Sequence, residues 1–585
     1  MADKVTTSEA LEIEAKKAAL LNAIKHEGKS EAGAVIGRLL GAHPELRQKA
    51  AEVRVLVARV LDQVNAMSLA DQEKVIQESW PEELAKEKPK AERGLPPLPN
   101  VDRYPKIVTR FSPNPDSVLH LGNARAFILS HDYARKYGGE FILRFEDTDP
   151  RLKKAALQFY DLIRTDLKWL ECSWDEEYYQ SDRLELYYQY AEELIRKGDA
   201  YVCECASEDF KQLIESGRAC PCRAITPEEN LTRWKGMLGA EYEEGEAVLR
   251  VKTELDHPNP AVRDWPALRV IDSVRYPHPR VGSRYRVWPL YNMACGVDDH
   301  TMSISHVIRG KEHLTNMERQ KYLYRYMGWT YPDAIHYGRL HVVGMDLSKS
   351  KMMRALEEGV YSDLSDPRLG TLMALRRRGI TPQAIRGVVY EVGPRPVDAT
   401  ISWENVYAAN RKIIDPTARR FFFIDRAVVV TVSGVKSSRT VKIPAHPEHP
   451  EMGTRELAID ARDGTCRLLL SKADLGTLKP GSVVRLMELF NLKVLQAAPE
   501  WVTAELHSET YAEARKVNAP LVHWLPEEHN CKATVVMPTA ERIDGLGEPD
   551  LTTCHVDEVI QLVRFGFGRV DAVAQDSVAI YFAHQ

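Results

Sequence analysis

The feature that most constrains this chain is an alternation. Between about 101 and 350, strand-like runs (KIVTRF, GEFILRF, AIHYGRLHVV) are separated by helix-spaced segments such as AALQFYDLIRTDLKWL and RLELYYQYAEELIRKG. Apolar spacing that switches between strand and helix periods predicts βαβ units. Those imply a parallel sheet, because parallel neighbours cannot be joined by a tight hairpin. Residues 101–200 and 286–350 read as the two halves of this α/β domain. Between them, 201–285 is rich in Cys, Pro and charge and reads as an inserted domain. Residues 351–410 carry helical spacing. From 411 to 585 the texture is short β runs (RAVVVTVSG, TVKIPA, TCRLLL, SVVRLMEL, AIYFAH) between Gly, Pro and Asp turns, which predicts antiparallel barrels or sandwiches. Residues 1–100 are a helical segment and a Lys/Glu/Pro linker with no metal or catalytic grouping, assigned to packing or partner binding.

A chain of 585 residues is too long for one core and implies a multidomain protein. Apolar content of 44% and a net charge of −5 leave no whole-molecule cue for nucleic acid, so any polyanion site must be a local patch. No run approaches the ~18 apolar residues of a membrane span, and the N-terminus has no signal-peptide core. The expectation is a cytoplasmic protein with no membrane partner. Nine cysteines, an odd number, argue against a disulfide framework.

Four constellations fall within the α/β region. The first is RFSPNPDSVLHLGNARA, residues 110–126, a strand, a turn and a helix start with His120, Gly122 and Asn123. The free amides and positive dipole end of such a helix make an anion site. The second is LRFEDTDP, where a strand ends in Glu146, Asp147 and Asp149; acids there face the ligand crevice of an open sheet. The third, WPLYNMACGVDDHTMSISHVIRGKEH, carries Tyr291 and Arg309, and the fourth, GMDLSKSKM, carries Ser348, Lys349 and Lys351. Separately, Cys203, Cys205, Cys220 and Cys222 form a C-x-C…C-x-C group, and two close thiolate pairs suit a tetrahedral structural zinc.

The stretch PNPDSVLHLGN resembles the first signature of class I aminoacyl-tRNA synthetases, His-Ile-Gly-His, and DLSKS resembles the second, Lys-Met-Ser-Lys-Ser/Arg. TRFSPNP…LHLGNARA with LRFEDTDP is similar to the glutamyl/glutaminyl subgroup. The likeness continues through DPRLGTLMALRRRGITPQAI, MELFNLKVL and RFGFGRVDA, so it covers nearly all of the chain from about 100 onward. The all-β C-terminal part is similar to the archaeal/eukaryotic type of glutamyl-tRNA synthetase. The resemblance implies a Rossmann-like catalytic domain, an insert that grips the tRNA acceptor end, a helical connecting domain and β-barrel anticodon-binding domains. It also implies two steps: glutamyl-adenylate formation from L-glutamate and ATP with Mg²⁺, then transfer to the 3′ end of tRNA(Glu). Whether tRNA(Gln) is charged too stays open.

Carried over by position, Pro113, Pro115, His120, Gly122, Asn123 and Lys349 would bind ATP, with His120, Asn123, Ser348 and Lys349 catalytic. Arg110, Glu146, Tyr291 and Arg309 would hold the amino acid. Glu146 would take the ammonium and Arg110 a carboxylate. By the same resemblance Arg309 would select glutamate over glutamine, because a guanidinium pairs with a carboxylate but accepts nothing from an amide NH₂ group. Two positions depart from the signatures. Asn123 stands in place of the second His, and Asp346 in place of the first Lys. They keep a non-catalytic tRNA-binding relative as the alternative, beside a glutaminyl enzyme. The third reading, a small-molecule nucleotidyltransferase, has no use for the long β region. Candidate tRNA contacts are Arg376–Arg378, Arg411, Lys412, and Arg419 and Arg420 beside three Phe.

Overall fold

The computed structural model describes residues 8–25, 28–43, 46, 50–80, 94–342 and 349–585. The chain divides into two compact units, residues 1–94 and 95–585. The first contains α1 (Ser8–Lys25), α2 (Ala32–Ala42), α3 (Ala50–Asn65) and α4 (Leu69–Ser79). Its core combines Ala15, Ala19 and Ala23 of α1 with Val53, Val57 and Val60 of α3, small and β-branched side chains that suit close helix approach. The buried Gln72 Nε2 donates to the Val64 and Gly28 carbonyls at 2.8 and 2.9 Å, satisfying backbone groups that the turns would otherwise leave unpaired.

The second unit opens with β1 (Val108–Phe111), α5 (Leu121–Lys136), β2 (Glu140–Phe145), α6 (Leu157–Trp169) and β3 (Glu176–Tyr179). The three strands pair in parallel with β2 central. All four residues of β1 are buried, as expected for a sheet covered on both faces. After α7 (Leu184–Arg196) comes the insert: β4 (Ala200–Cys203), α8 (Ser207–Glu215), α9 (Pro227–Leu238), β5 (Val248–Val251), β6 (Pro266–Val270) and β7 (Val287–Pro289). Its four strands form an antiparallel sheet in sequence order, packed through Trp234, Trp265 and Trp288. The chain re-enters the α/β layer with α10 (Tyr291–Thr301), β8 (His306–Gly310), α11 (Leu314–Met327) and β9 (Asp333–Tyr337).

Strands β8 and β9 are parallel to each other. Ser305 joins them to the first sheet: its N–H donates to the Val108 carbonyl at 2.9 Å, and its Oγ accepts from the Val108 N–H at 2.8 Å. The order is therefore β3-β2-β1-β8-β9. The chain leaves β1 in one direction and returns on its other side, so the order reverses between β1 and β8. That reversal opens a ligand crevice in doubly wound sheets.

Two strands of the parallel α/β layer were not among the predicted ones. In β3 (EEYY) no residue is fully buried and the apolar signal is faint, and β8 (HVIRG) is a short run within a polar stretch. The run AIHYGRLHVV is two strands, not one. Gly338 ends β9 because an added Cβ there would lie 2.1 Å from the Val397 backbone carbon. Past it, β10 (Leu340–Val342) pairs in parallel with β11 (Ala399–Ile401). Helices α12 (Lys349–Glu357), α13 (Leu372–Arg377), α14 (Pro382–Val392) and α15 (Trp403–Ile414) follow.

The C-terminal region forms a seven-stranded and an eight-stranded sheet, mostly antiparallel. Some pairings are parallel, among them Arg419–Phe421 with Val559–Leu562 and Ala427–Ser433 with Trp501–Ser508. The expected antiparallel pairing holds for most neighbours, with these parallel exceptions. The physical reason is interlacing: residues 419–424 join the sheet completed by 531–584, and 427–526 build in between the eight-stranded sheet and a separate two-stranded one, Arg439–Pro444 with Thr454–Ile459. No helix among the described residues is long and apolar enough to cross a membrane.

Candidate active site

A cleft of about 610 Å³ lies at the strand reversal, lined by Pro113, His120, Asn123, Glu146, Tyr291 and His313 among others. His120 is the N-cap of α5. Its Nδ1 accepts from the Gly122 N–H at 3.0 Å, and its own N–H donates to Asn123 Oδ1 at 3.1 Å. The position that departs from the first signature thus closes a reciprocal helix cap. Because Nδ1 is an acceptor, neutral His120 carries its proton on Nε2. Burial lowers its pKa to about 4, so it is a neutral donor at physiological pH. The turn is held by the segment before α13: Leu121 N–H donates to Gly370 and Leu372 N–H to the Leu119 carbonyl. Pro115 is buried and does not line the cleft; its carbonyl accepts from the Ala156 N–H at 3.0 Å.

Arg110 lies behind the cleft wall, 5% exposed, in a buried charge network. Asp299 accepts from Arg110 Nε and Nη2 at 3.2 Å each and from Arg144 Nη1 at 2.8 Å. Arg144 Nη2 donates to Glu146 at 3.1 Å. Burial works against ionising Asp299, yet the two guanidinium groups hold it well below the ordinary carboxylate range. Burial pushes Glu146 up, opposed by Arg144 and Arg110. Arg110 is therefore compensated by a protein carboxylate. The neighbouring acid Asp147 serves the scaffold: it accepts from Tyr160 OH at 2.7 Å and Ser181 N–H at 2.8 Å.

Arg309, at the end of β8, is equally buried but differently partnered. Its fork donates to Gln320 Oε1 from Nη1 and Nη2 at 3.2 Å each, and Nη2 also reaches Tyr331 OH at 2.9 Å. Nη1 lies 3.4 Å from Tyr291 OH, and Nε donates to His336 Nε2 at 3.3 Å. None of these partners is a carboxylate. Burial and Arg309 lower His336 to about 4 and His313 to about 3, so both imidazoles are neutral here.

Ser348 and Asp346 lie outside the described residues. Lys349 opens α12, its side chain likewise outside them, and Met352 of the same helix lines the cleft. Sequence reasoning missed Asp299, Arg144, Gln320 and Tyr331. A signal existed for Asp299: Tyr291, Cys295 and Asp299 recur at four-residue steps and share one face of α10.

The sulfurs of Cys203, Cys205, Cys220 and Cys222 all lie within 4.8 Å of one another, with Cys203–Cys220 at 3.9 Å and Cys205–Cys222 at 3.8 Å. Zn–S bonds of ~2.3 Å at tetrahedral angles require sulfurs about 3.8 Å apart, so the donor set and its spacing fit zinc. The tRNA candidates divide. Arg378 is buried, donating to Tyr407 OH and the Ala583 carbonyl, and Arg377 pairs with Asp571 at 3.0 Å. Arg419 pairs with Glu558, Arg420 with Asp415, and Phe421–Phe423 are all buried. These residues pack the β region and hold it to the helices, a correction to their reading as a tRNA face. Arg376, Arg411 and Lys412 are exposed.

A doubly wound sheet interrupted by an antiparallel insert, with a capped His turn at the strand reversal, is the catalytic architecture of class I synthetases. Residues 106–416 match the catalytic domain of "tRNA synthetases class I (E and Q)", and 418–509 and 521–571 match anticodon-binding domains of the same description. The chain belongs to this family. At the level of single proteins, it is 49% identical over 574 residues to the glutamate–tRNA ligase of Thermococcus onnurineus, covering 97% of this chain and 99% of that one. It is 48% identical over 577 residues to the glutamate–tRNA ligase of Pyrococcus furiosus, covering 98% and 99%.

Proposed function

We propose that this protein is a glutamate–tRNA ligase acting in the cytoplasm, where charged tRNA is consumed. It joins L-glutamate to ATP as glutamyl-adenylate and then transfers the glutamyl group to the 3′ end of tRNA(Glu). The observation that carries the choice of amino acid is Arg309, a buried guanidinium beside the cleft whose described partners are all uncharged. A side-chain carboxylate is the ligand group that completes it.

In this reading the neutral His120 donates from Nε2 to the ATP phosphates, and Asn123 acts chiefly by holding the His120 turn. Glu146, hydrogen-bonded to Arg144 at the cleft wall, takes the substrate ammonium. Arg110, already paired with Asp299, contributes orientation more than net charge to carboxylate binding. Lys349, the first residue of α12, and Ser348 act on the leaving pyrophosphate. Little covalent work falls to the protein in such a step; in-line positioning and stabilisation of developing charge lower the barrier. Mg²⁺ arriving with ATP neutralises phosphate charge.

The insert binds the acceptor end of tRNA, braced by a structural zinc on Cys203, Cys205, Cys220 and Cys222. The chain divides into a helical N-terminal segment (1–100), catalytic halves (101–200 and 286–350) around the insert (201–285), a helical connection (351–410) and anticodon-binding barrels (411–585). Attachment of labelled glutamate to tRNA(Glu) and tRNA(Gln) transcripts, each with and without ATP, tests the reading. ATP-dependent charging of tRNA(Glu) is expected, and no attachment to either transcript refutes it.

A further inference from the structure

The two buried arginines beside the cleft differ in one respect that their residue type does not reveal. Arg110 faces the carboxylate of Asp299, whereas Arg309 is held by the amide of Gln320 and the hydroxyl of Tyr331. Gln320 is fully buried on α11, and its Oε1 takes three donors: both Nη atoms of Arg309 and Tyr331 OH at 2.8 Å. A guanidinium has only donors, so the oxygen must face the fork. The Gln320 Nε2 is then left buried without a partner.

A glutamate at this position would pair bidentately with the same fork and leave no orphaned donor. By the rules of local packing, then, the carboxylate is the better scaffold residue. What the amide supplies instead is alignment without charge. We propose that Gln320 is a specificity-determining positioning residue. It fixes the plane of the Arg309 fork while leaving its positive charge to be neutralised by the side-chain carboxylate of the substrate. The site thereby discriminates between a carboxylate and an isosteric amide: bound glutamine would leave a desolvated cation uncompensated. This rests on the reading of Arg309 as the side-chain ligand.

The test uses the full-length protein with tRNA(Glu), measuring kcat and KM for glutamate and for glutamine in the unaltered chain, Gln320→Glu, Gln320→Met and Arg309→Cys. With an internal carboxylate on the fork, Gln320→Glu is expected to raise KM for glutamate at least ~30-fold while KM for glutamine changes less than about threefold, kcat being largely kept. Gln320→Met removes the acceptor and adds no charge, so its KM for glutamate should rise only ~3- to 10-fold, with glutamine still rejected. A purely structural role would move both substrates together and both variants alike. The proposal is overturned if Gln320→Glu leaves the glutamate-to-glutamine ratio of kcat/KM within threefold, or if Gln320→Met shifts it as far. Should Gln320→Glu fail to fold, an unchanged KM for glutamate in folded Gln320→Met overturns it equally. If Arg309→Cys shifts the ratio and Gln320→Glu does not, only the role of Gln320 falls. If neither shifts it, the underlying reading of Arg309 falls too.

Discussion

Replacing Arg309 with Cys removes a buried cation beside the cleft whose described partners are all uncharged. The side chain is 5% exposed, so water cannot stand in for it. Its donors reach Gln320, Tyr331, Tyr291 and His336, all uncharged partners, and the neighbouring imidazoles of His313 and His336 stay neutral because burial holds their pKa values near 3 and 4. A substrate carboxylate bound there in the variant would be buried without its counter-charge, at a cost of about 3–5 kcal/mol. Each 1.36 kcal/mol is a factor of ten, so kcat/KM for glutamate should fall roughly 150- to 5,000-fold. Glutamine carries no such charge and should lose far less, moving the preference towards it. The assay is aminoacylation of tRNA(Glu) with each amino acid by each protein. Circular dichroism serves as a check that the variant is folded. A glutamate-to-glutamine ratio that stays within about threefold, under ~1 kcal/mol, would refute the assignment of Arg309 as the specificity residue.

Lys349→Ala should lower pyrophosphate exchange measured with tRNA at least ~100-fold, since it removes a charge acting on the leaving group; an unchanged rate removes Lys349 from the mechanism. Purified protein should contain one zinc per chain, lost from Cys203→Ala/Cys220→Ala, and chelation should lower the Tm; metal-free protein of full stability ends the zinc reading. Asp166 is 3% exposed, and burial pushes its pKa up to about 7 against the opposing effects of the Leu119 amide and Arg376. Its proton is held in the folded state above the ordinary carboxylate value. That contribution is therefore fully present below about pH 4 and is lost as the pH rises through 7. Asp166→Asn should leave Tm unchanged at pH 4 and stabilise the protein by roughly 2–4 kcal/mol at pH 8; equal shifts at both pH values would refute the cause.

Local sequence determined a large part of this protein. The spacing of apolar residues specified a parallel α/β layer, because period is a property of neighbouring residues. HLGN specified a capped turn, since His120, Gly122 and Asn123 close their bonds within four residues. Two C-x-C pairs specified a thiolate cluster, whose members are 17 residues apart but sit on one small insert. Elements without local signal were not legible. The strand EEYY is too polar for its period to stand out, and Gly338 splits an apolar run because a backbone almost 60 residues later passes against it. The arginines of LRRRG read as a nucleic-acid surface, yet Arg378 is sealed under the last strand of the chain, a contact spanning 205 residues. Above all, sequence supplied two arginines, Arg110 and Arg309, and could not say how they differ. That depends on which groups the fold brings within ~3 Å in a place without water, where the presence or absence of one counter-charge outweighs the identity of the side chain. Asp299 reaches Arg110 across 189 residues and neutralises it, while Gln320 meets Arg309 with an amide. Residue type is written in the chain; whether a buried charge is already compensated was decided only by the tertiary structure.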